Sequence, residues 1–325
     1  MSEALFPAEA YPDDRVLAEG LHAVFRAGSG HSVTVLDRRP NRWGGTFPAE
    51  VVTVRLDDPR AFRVFCKYET GASAGSYGHR GGVAYERLVY RDLLQPLSLT
   101  VPHYYGSYED ERRRWLWFVL EFLDDSLPVS KAREGVAIVR AASWVGRFHA
   151  VMEDRVRSED PLPFLRYDRE YYLGWAERTQ RLCATRAPGT GWMPAVCRRF
   201  LDEVDLLLGE PLTIVHGEYY PKNIRCQAGT IRPIDWESAA IGAGEVDVAS
   251  LTERWPDALV RDCQRVYLQT RWPLGAPADF ERRLDLARMY LQFRWLGSPR
   301  GWRKEEEAAW RIRHICDIAE RQGLL

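Results

Sequence analysis

Residues 216–237 constrain the fold of this 325-residue chain more than any other part of it. A short apolar strand over residues 213–215 is predicted to end in a loop that carries Glu218 and, five residues on, Asn223. A second short strand, residues 230–234, delivers Asp235 at its end. Any fold of this stretch therefore has to bring two carboxylates and an amide oxygen to the ends of strands.

Those oxygen-bearing side chains indicate a specific chemistry. Mg²⁺ binds few protein oxygens and leaves room for phosphates in its coordination sphere. Phosphoryl transfer needs a metal ion to neutralise charge, in-line positioning, and a residue that orients the attacking hydroxyl group. The set of side chains in residues 216–237 matches these requirements.

The first half of the chain has the pattern of a small α+β sheet domain. Residues 31–37, 50–56 and 62–68 alternate apolar and polar positions and are rich in β-branched residues, which predicts strands. Residues 83–94 carry apolar side chains at helical spacing, and residues 115–123 form a dense apolar strand.

The second half is predicted to be mostly helical, beginning with a long amphipathic helix over residues 132–152. The strands of residues 211–237 interrupt this pattern, and helices resume to the end of the chain. Since the length suits roughly two domains, we expect an N-terminal domain over residues 1–122 and a C-terminal domain over residues 123–325.

Composition excludes several classes of protein. With 45 Lys and Arg against 46 Asp and Glu, the net charge of −1 lacks the basic excess of a dedicated nucleic-acid binder. No apolar run is long enough for a transmembrane helix, so no membrane partner is expected. The start of the chain lacks the features of a secretory signal. The six cysteines show no CxxC spacing, and we expect a cytoplasmic protein with reduced thiols.

Two motifs carry a resemblance to a known family. His216-Gly217-Glu218, with Asn223, and Ile234-Asp235-Trp236-Glu237 are similar to the HGDxxxxN and D-W/F-E signatures of the aminoglycoside phosphotransferase and choline kinase superfamily. Residues 244–249 resemble the G-x-x-x-D-[LV]-A segment of that family, and residues 294–297 resemble one of its late helices. The order of elements fits as well.

The resemblance implies an α+β, bilobal, protein-kinase-like fold with a small β-rich N-terminal lobe and a larger, mostly helical C-terminal lobe. It also implies ATP or GTP and Mg²⁺ as cofactors. Asn223 and Asp235 would bind the metal ion.

A kinase-like N-terminal lobe needs a lysine on its third strand and a glutamate on the next helix. Lys67 ends the third predicted strand, and Glu86 lies one turn into the following helix. Only four of the 45 basic residues are lysines, so a lysine at this position is informative. The alternatives are a surface lysine and a solvated helix glutamate.

The same resemblance assigns further nucleotide contacts. Gly44 and Gly45 would cover the phosphates, although a plain hairpin turn explains a Gly-Gly pair equally well. Main-chain groups of Glu121 and Leu123 would bind adenine at the hinge. Core packing is the alternative explanation for the apolar residues there, and the two explanations are compatible. His216 and Asp247 would support the loop that carries Glu218.

One position departs from the family pattern. The family has aspartate where this chain has Glu218, and that residue accepts or orients the proton of the substrate hydroxyl. Glutamate keeps the charge but adds one methylene, in a reaction where a 1 Å misplacement costs about 100-fold in rate. The base is therefore adapted, or it is impaired, or the fold performs other chemistry. Lys222 either reaches the transferred phosphoryl group or is a surface lysine.

The predicted function is ATP- and Mg²⁺-dependent O-phosphorylation of a small hydroxylated metabolite, such as an amino sugar, an antibiotic or a natural-product intermediate. The alternative is a nucleotide-binding kinase-fold protein that acts by interaction and has impaired or altered catalysis. A protein kinase is disfavoured because the chain has no H-R-D motif with an A-P-E segment. A monomer or a homodimer fits the sequence.

Overall fold

The computed structural model describes residues 6–41, 45–57, 60–69, 80–132, 135–158 and 163–325. The chain forms two compact units. The first unit contains Met1–Pro128 together with Asn223–Ser238, and the second contains Val129–Lys222 together with Ala239–Leu325. The stretch that carries Asn223 and Asp235 therefore belongs to the first unit, although helices of the second precede it in sequence.

A five-stranded antiparallel sheet is the centre of the first unit. Its strands are β1 (Thr34–Pro40), β2 (Ala49–Arg55), β3 (Ala61–Tyr68), β4 (Tyr104–Asp110) and β5 (Trp115–Glu121), and their order in the sheet is β1-β2-β3-β5-β4. A second antiparallel sheet contains β6 (Leu127–Pro128), β9 (Ile224–Gln227) and β10 (Thr230–Pro233). Asp235 and Glu237 follow the hairpin of β9 and β10 and belong to the first unit with it.

Two α-helices complete the part of the first unit that the structure describes. Helix α2 (Gly82–Leu88) continues as a π-helical turn over Val89–Leu94, which matches the helix expected over residues 83–94. Helix α1 (Asp14–Ser29) was not predicted, because the helix over residues 83–94 was the only one that the pattern of this half indicated. Its ends carry recognisable signals. The Asp13 side chain accepts a hydrogen bond from the Val16 N–H, and Gly30 follows with a φ of 74°.

The second unit combines a three-stranded sheet with eight helices in its described part. Strand β11 (Ala240–Gly242) lies between β7 (Leu165–Arg166), to which it is parallel, and β8 (Thr213–Val215), to which it is antiparallel. The helices are α3 (Val136–Ser158), α4 (Arg169–Arg186), α5 (Met193–Glu203), α6 (Asp205–Leu208), α7 (Glu245–Thr252), α8 (Asp257–Arg271), α9 (Phe280–Leu296) and α10 (Glu305–Arg321).

Helices α7 and α9 form the interior of the second unit. Every residue of α7 is buried, and α9 is buried on nearly all of its faces. A helix that is covered all round belongs to a core, so the charged residues on these two helices need partners inside the protein. Among the described helices, none is both long and apolar enough to cross a membrane.

The packing of α1 on the sheet generates a stability prediction. A Cβ atom added to Gly20 would lie 2.2 Å from the Trp117 ring, whereas one added to Gly28 on the same helix would lie 3.6 Å from its nearest neighbour. We expect G20A to lower the free energy of unfolding by about 1–3 kcal/mol through overpacking. The matched control G28A should be neutral or stabilising by up to about 1 kcal/mol. Urea denaturation followed by tryptophan fluorescence measures both, and equal effects would contradict the close packing of Gly20.

Candidate functional site

The side chain of Lys67, at the end of β3, lies among three carboxylates within the first unit. Its Nζ is 2.5 Å from Glu86 Oε2, 2.8 Å from Asp235 Oδ1 and 3.3 Å from Glu237 Oε2. Strand β3 pairs with both β2 and β5, which fixes the backbone of Lys67 in the middle of the sheet. The structure therefore brings together three of the predicted site residues, Lys67, Glu86 and Asp235.

The charges in this group shift the pKa values of its members. Burial would lower the pKa of Lys67, but the carboxylates of Asp235, Glu86 and Glu237 outweigh it and hold that pKa well above its usual value. Burial raises the pKa of Glu86 to about 7 against the opposing effect of Lys67. Lys67 is therefore firmly cationic, and the negative charge around it is in excess.

Asp235 is the accessible member of this group. Its side chain is 37% exposed, whereas those of Lys67, Glu86 and Glu237 are almost fully buried. Its backbone has a φ of 70°, an uncommon left-handed conformation for a non-glycine residue. Such conformations persist only where the surrounding structure holds them, and they cluster at functional sites.

Backbone and ionic contacts hold the loop of Asp235 in place. The Trp236 N–H donates to Glu86 Oε1 at 3.0 Å, so Glu86 binds Lys67 with one oxygen and the loop with the other. Arg80, just before α2, lies 3.2 Å from Glu237, and the Gly81 N–H donates to the Glu237 carbonyl. The loop is thus bound twice: Trp236 contacts Glu86 on α2, and Glu237 contacts the residues just before α2.

The donor set of this group fits a hard divalent cation. Glu86, Asp235 and Glu237 each offer a carboxylate oxygen, and these oxygens lie within 4.8 Å of one another. Three carboxylates face the cationic side chains of Lys67 and Arg80, which leaves negative charge to be neutralised. Oxygen ligands with one accessible carboxylate suit Mg²⁺, which keeps several waters or phosphate oxygens as ligands.

The other site residues predicted for the first unit are Asn223, Gly44, Gly45, Glu121 and Leu123. Asn223 is buried, and its carbonyl accepts a hydrogen bond from the Ile234 N–H. Gly45 is exposed, while Gly44 lies outside the described residues. Glu121 binds Arg232 through its side chain, and Leu123 is buried. The nucleotide contacts assigned to these residues stay predictions.

Asp247, at the start of α7, organises the loop around His216 in the second unit. Its carboxylate accepts hydrogen bonds from the His216 N–H at 2.7 Å and from the Gly217 N–H at 3.0 Å. His149 Nε2 lies 3.2 Å from the same carboxylate, and His149 Nδ1 lies 2.9 Å from the Tyr267 hydroxyl. Since a carboxylate only accepts, Nε2 carries the hydrogen in this arrangement. Asp247, with no exposed surface, is thus fully engaged.

Gly244 permits this arrangement. A Cβ atom at residue 244 would lie 2.3 Å from an Arg271 guanidinium nitrogen and 2.7 Å from both His149 Nδ1 and the Tyr267 hydroxyl. Only glycine lets the backbone before α7 approach these three groups so closely. Gly244 and Asp247 therefore both contribute to holding the loop at His216.

Glu218 follows this loop and forms a buried ion pair. Its Oε1 accepts a hydrogen bond from Arg294 Nη2 at 2.6 Å, and both side chains are at least nine-tenths buried. Arg294, on α9, also donates to the Gly217 carbonyl at 2.6 Å. Lys222, in contrast, is exposed, and its Nζ lies 5.7 Å from the centre of the Tyr220 ring.

Sequence reasoning missed three residues of these two groups. Glu237 belongs to the D-W/F-E motif and Arg294 to the late helix, but the sequence indicated no role for either side chain. An arginine inside a run of apolar helical positions was the available signal for Arg294, because buried charges are rare without a partner. Arg80 had no comparable signal.

Comparison with known sequences decides the family. Residues 84–272, more than half of the chain, match the profile of the phosphotransferase enzyme family, APH. The chain belongs to this family. A comparison with curated proteins returned no significant match.

Solved structures at low sequence identity show the same fold as this APH-family chain. The putative fructosamine-3-kinase from Haemophilus somnus is 16% identical, with a TM-score of 0.59 and coverage of 92% of this chain and 97% of the other. The choline kinase LicA from Streptococcus pneumoniae is 13% identical, with a TM-score of 0.61 and coverage of 95% and 99%.

A third solved structure, the macrolide 2′-phosphotransferase MphH from Brachybacterium faecium, is 17% identical, with a TM-score of 0.57 and coverage of 91% and 97%. At these identities the likeness establishes the fold, an α+β kinase-like arrangement with an antiparallel N-terminal sheet followed by a mostly helical region.

The hydrogen bonds of Asp247 predict a large loss on a small change. In D247N one acceptor oxygen becomes an NH₂ group that faces backbone N–H donors, so a buried donor loses its partner. We expect the free energy of unfolding to fall by about 2–4 kcal/mol. The exposed D262N, on α8, is the control and should change it by less than about 0.5 kcal/mol. Urea denaturation measures both, and a neutral D247N would contradict the bracing role.

The burial of His149 predicts a pH dependence. Burial lowers the pKa of His149 below 6.5, against the opposing effect of Asp247. The unfolded chain then binds a proton that the folded chain resists, so stability is present above about pH 6.5 and falls as the pH drops below it. Melting temperatures from pH 7.5 to 5.5 should fall less steeply in H149Q than in the wild type. H22Q, at an exposed histidine on α1, should keep the wild-type slope.

Proposed function

We propose that this protein is an ATP- and Mg²⁺-dependent O-phosphotransferase that acts on a hydroxyl group of a small metabolite, such as an amino sugar, an antibiotic or a natural-product intermediate. The observation that carries the proposal is the position of Lys67, 2.5 Å from Glu86 and 2.8 Å from Asp235. A lysine held by a helix glutamate beside a metal-binding aspartate is what phosphoryl transfer in a kinase-like fold requires.

The residues of the first unit would bind the nucleotide. Lys67 would donate to the α- and β-phosphates, and Glu86 would hold its ammonium group in position. Asp235 and Asn223 would bind Mg²⁺, with the carboxylates beside Asp235 adding to the local negative charge. Bound Mg²⁺ would neutralise charge on the phosphate oxygens. GTP in place of ATP would make the same phosphate contacts.

Glu218 of the second unit would act on the acceptor. Its carboxylate would accept the hydrogen bond of the acceptor hydroxyl and take its proton as the oxygen attacks the γ-phosphorus. The new O–P bond forms while the bond between the γ-phosphorus and the bridging oxygen breaks, and ADP leaves with that electron pair. Because this transition state is loose, orientation of the hydroxyl contributes more than the strength of the base.

The names of the similar structures suggest acceptors to test. They include a putative fructosamine-3-kinase, a choline kinase and a macrolide 2′-phosphotransferase. All three names point to small molecules, and we carry that class over to this chain. The acceptor itself has to be found by assay.

A second candidate function rests on the ion pair of Glu218. A carboxylate bound to a buried arginine at 2.6 Å is a weaker proton acceptor than a free one. The protein would then bind nucleotide and act by interaction, with little phosphoryl transfer. Binding and turnover assays separate the two candidates.

Nucleotide binding is the first measurement. Mg·ATP at about 100 times its dissociation constant should stabilise the folded protein by about 2.7 kcal/mol, seen as a rise of several degrees in the melting temperature. D235N should remove most of the magnesium-dependent part of this rise, and K67M should remove the rise itself. K304M removes an exposed lysine on the N-terminal side of α10 and should behave as the wild type. No stabilisation by Mg·ATP or Mg·GTP would overturn the proposal.

Turnover is the second measurement. ADP release is followed with a panel of amino sugars, choline, a fructosamine and a macrolide as acceptors. We expect at least one acceptor to be phosphorylated, and E218Q to lower kcat by about 10²-fold or more while Mg·ATP still binds. Nucleotide binding without transfer to any acceptor would favour the second candidate function instead.

A further inference from the structure

A single buried guanidinium group holds the loop around Glu218. Arg294 donates to the Gly217 carbonyl through Nη1 and to Glu218 Oε1 through Nη2, each at 2.6 Å. Nη2 also lies 3.4 Å from the Tyr220 hydroxyl. The next residue of α9, Trp295, donates its indole N–H to the same hydroxyl at 3.1 Å. One turn of α9 therefore contacts three of the four residues from 217 to 220.

The charged state of Arg294 is secure. Burial would lower its pKa, but the oxygens of Tyr220, Tyr290 and Glu218 around it outweigh burial and hold that pKa well above its ordinary value. A permanent cation with no more than 5% of its side chain exposed needs an anionic partner. Glu218 is that partner, and removal of either charge would leave the other buried and uncompensated.

The backbone of Glu218 is held independently of its side chain. Asp247 accepts the hydrogen bonds of the two preceding N–H groups, and the Glu218 N–H lies 3.3 Å from His216 Nδ1. With the backbone fixed, an aspartate at residue 218 would hold its carboxylate about 1.5 Å farther from Arg294. A hydrogen bond of 2.6 Å would then be lost. Glutamate is the acidic residue long enough to reach the guanidinium group.

We propose that Arg294 is a positioning residue for Glu218, and that the two side chains form a matched pair in which glutamate replaces the aspartate of the family because Arg294 binds it. The inference rests on the proposed function, since it takes Glu218 as the group that orients the acceptor hydroxyl. A base fixed in this way suits a transition state in which orientation matters more than proton affinity.

The pair predicts how single changes affect turnover. E218D should lower kcat by about 10- to 100-fold, because the shorter carboxylate leaves its partner and shifts by more than 1 Å. R294M should lower kcat by a similar factor and leave the KM for Mg·ATP within about twofold. R294K should recover part of kcat, since an ammonium group can reach one of the bound oxygens. E218D/R294M should be no slower than the slower single variant, as expected for residues that act as one unit.

A matched control lies on the same helix. Arg283 is as buried as Arg294, but it donates to the carbonyls of Gly209, Glu210 and Pro211, and its nearest carboxylate is Glu245, at 3.4 Å, not Glu218. R283K should lower the melting temperature without changing kcat per folded molecule. The comparison of R294K with R283K separates positioning of the base from general loss of packing, and it serves if R294M does not fold.

The assay is ADP release from Mg·ATP, with water and with the acceptor panel, at equal concentrations of folded protein. A folded R294M with wild-type kcat would overturn the inference, as would an E218D variant that is faster than the wild type or a double variant whose losses multiply. Absence of any turnover by the wild type would also overturn it. Stabilisation by Mg·ATP would then still stand for the nucleotide site, whereas its absence would reject the proposed function itself.

Discussion

The ammonium group of Lys67 is the interaction on which the first unit depends. It joins three parts of the chain that are far apart in sequence, namely strand β3, helix α2 through Glu86, and the loop of Asp235 and Glu237. A buried cation among three carboxylates is stable only if each partner is held in place, because a displaced carboxylate would leave charge without compensation. The hydrogen bond from the Trp236 N–H to Glu86 supplies part of that restraint. The same excess of negative charge makes the group attractive to a divalent cation.

In the second unit, charged side chains hold the loop at His216 in place through hydrogen bonds to its backbone. Asp247 binds two successive N–H groups of the loop at His216, and Arg294 binds the carbonyl that follows them. The loop is therefore fixed from both sides by charged residues on buried helices. Because charge-assisted hydrogen bonds inside a protein are strong, a carboxylate presented by this loop has a defined position. The identity of residue 218 then matters through its length as much as through its charge.

Much of the fold was accessible from local patterns. The alternation in residues 50–56 and 62–68 predicted β2 and β3 to within one residue at each end. Strand β1 begins at Thr34, three residues later than expected, because its pairing with β2 starts there. Helix α1 was not predicted, although Asp13 and Gly30 mark its ends with ordinary capping signals. The partner of a buried charge such as Arg294 could not be foreseen, because it depends on which parts of the chain pack against α9.

By itself, the sequence determined the residue types and spacings that the chemistry needs: a lysine at the end of a strand, a glutamate one turn into the next helix, and an aspartate after a short hairpin. These follow from local periodicity and from motifs, which are properties of neighbouring residues. Only the tertiary structure decided that Lys67 contacts Glu237 as well as Glu86, and that Glu218 pairs with Arg294, 76 residues away. Such contacts arise when elements distant in the chain pack together, and the cost of burying an unpaired charge then selects which side chains meet.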